Sequence, residues 1–217
     1  MTQAARPYIR MNGAGNAFIV VQAFEEGFHP TEDQVRALAA PAAGLGGFDQ
    51  LIGVEPSETA DAFMRVWNAD GSMVETCGNA LRCVGWLLLE ATDKEEVVID
   101  TLGGPTTARR AGDHQVTVDM GAPRLDWAEV PLAEEMDTRG IELQVGPIDA
   151  PVLHTPGAVS MGNPHVVFFT DQQDDAFVRG SGSLVEHPPL FPEAVNVGFA
   201  KVIDREHIRL RVWERGA

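Results

Sequence analysis

Apolar residues fall along the chain in short runs, each closed by Gly, Pro, Asn or Asp, the pattern of strands bounded by turns. Such runs cover 17–21, 51–54, 63–67, 97–101, 115–120, 165–169, 197–203 and 208–213. Helical signals are rarer. Thr31-Glu32-Asp33-Gln34 reads as a capping box, with Thr31 as N-cap and Gln34 reaching back, and it opens a helix that stops near Pro41. A second helix is predicted from Asn79 to about Glu90. Its residues Ala80, Leu81, Cys83, Val84, Trp86, Leu87, Leu88 and Leu89 are apolar around nearly the whole circumference, so this short helix must be enclosed. Few helices among many strands predict an α+β fold with sheet wrapped around a central helix.

Self-similarity at long range sharpens that picture. Arg65-Val66-Trp67 returns as Arg211-Val212-Trp213, an offset of 146 residues. Gly15-Asn16 before Phe18-Ile19-Val20 resembles Gly162-Asn163 before His165-Val166-Val167, and Gln50-Leu51 falls opposite Asn196-Val197. Three ordered matches at nearly one offset predict an internal duplication. The expected result is two pseudo-symmetric lobes, residues 1–120 and 121–217, each a mainly antiparallel curled sheet around a central helix. The first lobe runs on past Trp67 to Cys77 and its apolar helix. The counterpart of Cys77 would fall near position 223, beyond residue 217. The expectation is therefore a C-terminally truncated fragment whose second lobe lacks its thiol and its central helix and exposes apolar sheet.

Charge and composition narrow the function. Sixteen basic against thirty-two acidic residues leave a net charge of −16, a field that repels phosphate backbones and argues against nucleic-acid binding. No run approaches the roughly 18 apolar residues of a membrane helix, and the N-terminus carries no apolar signal segment. Two cysteines, Cys77 and Cys83, are too few for a disulfide scaffold and suit a reducing cytoplasm. Six residues apart they turn about 600° around a helix and face different ways, and no histidine cluster completes a metal site. No metal is expected.

The richest chemistry lies in the stretch from Asn68 to Asn79. A strand ends in the Asp70-Gly71 turn, and a short loop delivers Cys77 to the start of the apolar helix. A thiolate there sits at the positive end of the helix dipole, which lowers its pKa. Gly78 lets a ligand approach the backbone, and the N–H groups of the first turn suit a carboxylate. Cys83, inside the apolar body, reads as packing. Asn16, Gln50, Asn68, Asn163 and Asn196 stand at matched strand ends. Each can serve merely as a turn residue, but together these neutral amides suit a zwitterionic ligand. Glu214-Arg215 supplies one charge of each sign or else a solvated surface pair. His165 opens an apolar strand and is either a base, an orienting donor or a structural residue.

These motifs resemble the diaminopimelate epimerase family, the cofactor-independent amino-acid racemases that use two cysteines. The resemblance is carried by Met11-Asn12-Gly13-Ala14-Gly15-Asn16, Gly47-Phe48-Asp49-Gln50, Asn68-Ala69-Asp70-Gly71-Ser72, Cys77-Gly78-Asn79 with Arg82-Cys83, Met161-Gly162-Asn163-Pro164-His165 and Glu214-Arg215-Gly216-Ala217. It implies a two-lobed epimerase that interconverts LL- and meso-diaminopimelate by two-base proton transfer, in lysine and peptidoglycan precursor synthesis. It also implies no cofactor, a cytoplasmic location and a homodimer when complete. Within it Cys77 is the first catalytic thiol, and Gly78 and Asn79 are backbone donors to the reacting carboxylate. Asn16, Asn68, Asn163, Asn196 and Arg215 are substrate contacts, Gln50 and Glu214 lie near the reacting centre, and His165 supports them. Other readings are a proline or hydroxyproline racemase, a Cys77–His165 hydrolase, and a non-catalytic binding fragment.

Overall fold

The run Phe18-Ile19-Val20-Val21 forms the centre of a strand buried on both faces in the computed structural model, which describes residues 6–215. The chain divides into two units, one ending at Gly121 and the other running from Ala122 to Arg215. Among the described residues no helix is long and apolar enough to cross a membrane.

The first unit contains β1 (Ile9–Gly13), β2 (Asn16–Gln22), α1 (Glu32–Ala39), β3 (Gln50–Glu55), β4 (Ala62–Asn68), β5 (Met73–Val74), α2 (Gly78–Thr92), β6 (Glu96–Thr101), β7 (Gly104–Gly112) and β8 (Gln115–Asp119). The strands form one sheet in the order β1-β2-β3-β4-β6-β7-β8, with β5 paired to β4. Neighbours are antiparallel except β2 with β3 and β4 with β6. Each parallel pair requires a crossover, and α1 and α2 supply them. Helix α2 packs against β1 and β2 at one end of this order and β6, β7 and β8 at the other, so the sheet curls around it. Phe18, Val20, Ile52, Val54, Met64 and Val66 meet Leu81, Val84, Leu88 and Leu89 on that side. Ile19, Val21, Leu51 and Trp67 face the other way, toward Val35 of α1 and Phe48. Burial on both faces explains why β2 and β3 are continuously apolar.

The second unit has β9 (Gln144–Val145), β10 (Leu153–His154), β11 (Gly157–Ser160), β12 (Pro164–Phe169), α3 (Asp175–Val185), β13 (Asn196–Val202) and β14 (Ile208–Trp213). β9 and β10 pair separately, and the remainder form a sheet in the order β11-β12-β13-β14. Its pairings are antiparallel, parallel, antiparallel, as in β1-β2-β3-β4. The register repeats as well. Phe18 pairs with Gln50 and Leu51 with Trp67, while His165 pairs with Asn196 and Val197 with Trp213.

Helix α3 was not predicted from sequence, because Gly180, Ser181, Gly182 and Ser183 are weak helix formers. Asp174 caps it, accepting from the Phe177 N–H. Gly182 is required by packing, since a Cβ there would stand 2.4 Å from the Trp213 ring. The predicted α1 and α2 are present, the first with its capping box intact and the second extended to 78–92.

Candidate active site

Cys77 is the N-cap of α2, in extended conformation (φ −144°, ψ 111°), and is half-buried. The first helical bond runs from the Leu81 N–H to the Cys77 carbonyl at 2.9 Å. The N–H groups of Gly78, Asn79 and Ala80 precede it, where the helix provides no acceptor for them. The thiol and a set of amide donors therefore share one helix end. Thr76, just before, is buried with a hydroxyl that has no hydrogen-bond partner. Cys83, about 1.7 turns on, is buried in the core, and burial pushes its thiol up to about 11. β1 reaches this helix end through Gly13, where a Cβ would lie 2.8 Å from the Asn79 carbonyl oxygen and 2.9 Å from the Cys83 sulfur.

Two pairs of amides lie in the same unit as Cys77. The Asn79 Nδ2 donates to Asn16 Oδ1 at 2.7 Å, and Arg82 donates to the Asn79 Oδ1. The Gln50 Nε2 donates to Asn68 Oδ1 at 3.0 Å, and the Asn68 Nδ2 donates to Ser72 Oγ at 3.2 Å. Asn16 and Gln50 open the parallel strands β2 and β3, and Asn68 closes β4 opposite Gln50, which brings all three to one end of the sheet. Asp49 pins that end: its Oδ2 accepts from the Ala17 N–H at 2.7 Å. Sequence reasoning read Asp70 as part of a turn and placed Asp49, Ser72 and Arg82 in motifs without giving them roles: the Asp49 contact joins distant segments, while those of Asp70, Ser72 and Arg82 are local and leave no distinctive pattern.

The remaining candidates lie in the second unit. The His165 Nε2 is 2.8 Å from Asn163 Oδ1. An amide oxygen only accepts, so the imidazole carries its proton on Nε2. Burial first, and then the Arg215 charge, hold His165 below its usual pKa, which keeps it neutral at pH 7. Asn196 is engaged by backbone at both ends: Nδ2 donates to the Pro164 carbonyl at 3.1 Å and Oδ1 accepts from the Arg215 N–H at 3.1 Å. It thereby fixes the start of Arg215, whose guanidinium donates to the Glu193 carbonyl. Glu214 is exposed. Gly216 and Ala217, which close the last motif, lie outside the described residues.

The fold is shared with an epimerase of known structure. A hydroxyproline epimerase from Agrobacterium vitis, solved with trans-4-hydroxy-L-proline bound, superposes with a TM-score of 0.59 at 17% identity, over 94% of this chain and 69% of that one. The family model for diaminopimelate epimerase matches residues 8–125 and 157–217. A diaminopimelate epimerase from Caulobacter sp. (strain K31) is 57% identical over 221 residues, spanning 98% of this chain and 76% of that protein. One from Methylorubrum populi is 48% identical over 99% of this chain and 75% of its own length. The chain belongs to the diaminopimelate epimerase family, and it is an isomerase of the epimerase type.

Proposed function

We propose that the site belongs to a diaminopimelate epimerase centre, which interconverts the LL and meso forms at an α-carbon, with Cys77 as one of its two proton-transfer bases. The observation that carries this reading is the placement of Cys77 at the N-cap of α2, where the thiol and amide donors for which the helix itself supplies no acceptor share one helix end. Removing an α-proton leaves negative charge on the adjacent carboxylate. Fixed N–H dipoles aimed at that carboxylate stabilise the charge without reorganising. Gly78 and Asn79 supply those donors, and the same dipoles favour the thiolate over the thiol.

Inversion needs a second proton donor on the opposite face of the carbon. Cys83 does not suit that task, since it is buried in the core with a thiol that stays protonated at neutral pH. The 217 residues contain no third cysteine. In this reading they supply one thiol base, and on their own they do not sustain epimerisation.

The test is incubation of the 217-residue chain with LL-diaminopimelate in deuterated buffer, followed by NMR and chiral chromatography. The expected outcome is slow exchange of the α-proton without accumulation of the meso form, abolished in Cys77→Ser. Sustained epimerisation would overturn the single-base reading. Exchange surviving in Cys77→Ser would remove Cys77 from the mechanism.

A further inference from the structure

An asparagine or glutamine amide has two ends of nearly equal shape and opposite hydrogen-bonding character, so its partners decide which end faces a ligand. In the first unit two amide chains end in groups of fixed polarity. Arg82 can only donate, so Asn79 must turn its oxygen to Arg82 and its Nδ2 to Asn16. Asn16 must then accept through Oδ1, which leaves its own Nδ2 as a donor without a hydrogen-bond partner among the described residues. The second chain runs the other way. The Asp70 carboxylate can only accept, and its Oδ1 takes the Ser72 hydroxyl proton at 2.7 Å and the Ser72 N–H at 2.8 Å. Having donated, the Ser72 oxygen accepts from Asn68 Nδ2, and Asn68 Oδ1 accepts from Gln50 Nε2. The chain ends at the Gln50 Oε1, a buried acceptor without a partner.

We propose that Arg82 and Asp70 are positioning residues: through Asn79, and through Ser72 with Asn68, they lock Asn16 as a donor and Gln50 as an acceptor, so that the pair selects a ligand bearing both a carboxylate and an ammonium group. The inference rests on the reading of this unit as an amino-acid site. A buried acceptor left unmet is costly, so Oε1 is a standing demand for an N–H donor. A charge at the head of each chain polarises every bond down its length, which strengthens the terminal donor and acceptor. The same sense recurs in the second unit. There Asn163, the counterpart of Asn16, has its oxygen engaged by the His165 Nε2–H.

The two chains can be cut without touching either terminal amide. Arg82→Met removes the donor that orients Asn79, and Arg82→Lys restores a cationic one. Ser72→Ala removes the link between Asn68 and Asp70, and Ser72→Thr restores the hydroxyl. Calorimetric titration of the 217-residue chain with LL-diaminopimelate is expected to show affinity weakened about tenfold in Arg82→Met and in Ser72→Ala, and recovered to within about threefold by Lys and Thr. Side-chain amide spectra of the ligand-free, ¹⁵N-labelled chain report orientation independently. Slow exchange of the Asn79 and Asn68 amide protons is expected in the parent and fast exchange in the two cut variants. Binding that is unchanged in both cut variants, or not recovered by Lys and Thr, overturns the positioning role while leaving the site's function standing. If the parent binds no diaminopimelate, the functional reading fails. The amide spectra then decide the positioning role alone, with slow exchange lost in the cut variants supporting it and exchange unaffected by them overturning it.

Discussion

Met64 and Leu210 occupy the same place in two copies of one strand arrangement, and their surroundings are opposite. Met64 pairs with Val54, and Leu210 pairs with Ala200, at matching positions of matching registers. Met64 is 1% exposed beneath α2, whereas Leu210 is 55% exposed. The next pair along the strand repeats the contrast, Val66 at 1% and Val212 at 43%. The opposite faces of the two sheets do not differ in this way. Trp67 packs among Ile19, Leu51 and Val35, and Trp213 lies against Gly182 of α3 and donates to the Glu186 carboxylate at 2.9 Å. Strand order and register are thus common property of the two units, while burial of the second face depends on a covering helix. In the first unit that helix is α2, and it also delivers Cys77. Cover and chemistry arrive on one element.

The thiols give the largest measurable asymmetry, because both cysteines lie in the first unit. Cys83 has its thiol pushed up to about 11 by burial, so at pH 8 only about one molecule in a thousand carries its thiolate even before access is considered. Cys77 is half-buried at a helix end. Iodoacetamide on the native chain at pH 8 is expected to modify Cys77 at least about a hundred times faster than Cys83, with Cys83 reacting once the chain is unfolded. Peptide mass mapping over time reads both sites. Comparable rates would mean that α2 does not hold Cys83 in the core.

Truncating the matched residues tests the cover itself. Met64→Ala leaves a hole in a packed core and is expected to cost about 2–5 kcal/mol. Leu210→Ala removes a side chain already in contact with water and is expected to stay within about 0.5 kcal/mol. Urea unfolding followed by circular dichroism compares them directly. Equal losses would show that the open face of the second sheet is covered in solution.

Smaller again is the effect of the two crossover caps, one per unit. Thr31 accepts from the Gln34 N–H while the Gln34 side chain accepts from the Thr31 N–H, and Asp174 accepts from the Phe177 N–H alone. Thr31→Ala and Asp174→Ala are each expected to cost about 1 kcal/mol by the same unfolding measurement. A cost near zero for Asp174→Ala would show that α3 is held by packing, with Val178 and Val185 in the core of its unit.

What could be read from the chain beforehand divides along the same physical line. Local signals were legible: the apolar runs of β2, β3, β4, β12, β13 and β14, the capping box at Thr31, the apolar circumference of α2, and the repeat that links Gln50 with Asn196. Cys77 stood out because its neighbours Gly78 and Asn79 contrast with the apolar residues that follow. Elements specified by tertiary contact were not legible. β7 carries Gly104, Pro105, Arg109 and Arg110 and shows little alternation, yet it pairs along its length with β6 and with β8. α3 hides behind its glycines, one of which is demanded by Trp213. In the candidate site the amide residues were visible as types, but their partners were not. Asn196 stood out as an amide at a strand end, but its bonds to the Pro164 carbonyl and the Arg215 N–H left no trace in the sequence.

The subtlest contrast is between Phe18 and His165, which pair with Gln50 and Asn196 at equivalent positions. Phe18 is fully buried under α2, and the counterpart is a neutral imidazole bonded to Asn163. Burial and the Arg215 charge both disfavour a proton on His165, so its folded pKa lies below the value of about 6.5 it has in the unfolded chain. Between those two values the unfolded chain binds more protons than the folded one, and stability falls as pH drops. The contribution is fully present above pH 6.5 and is lost progressively as acidification passes through the folded pKa. Replacing His165 with Gln keeps an amide donor in reach of Asn163 and removes the titration. The expected outcome is a urea midpoint that declines less between pH 7 and pH 5 in His165→Gln than in the parent, with Phe18→Leu leaving the parent's pH slope unchanged. An identical slope in parent and His165→Gln would place the imidazole in water rather than among Asn163, Arg215 and the second sheet.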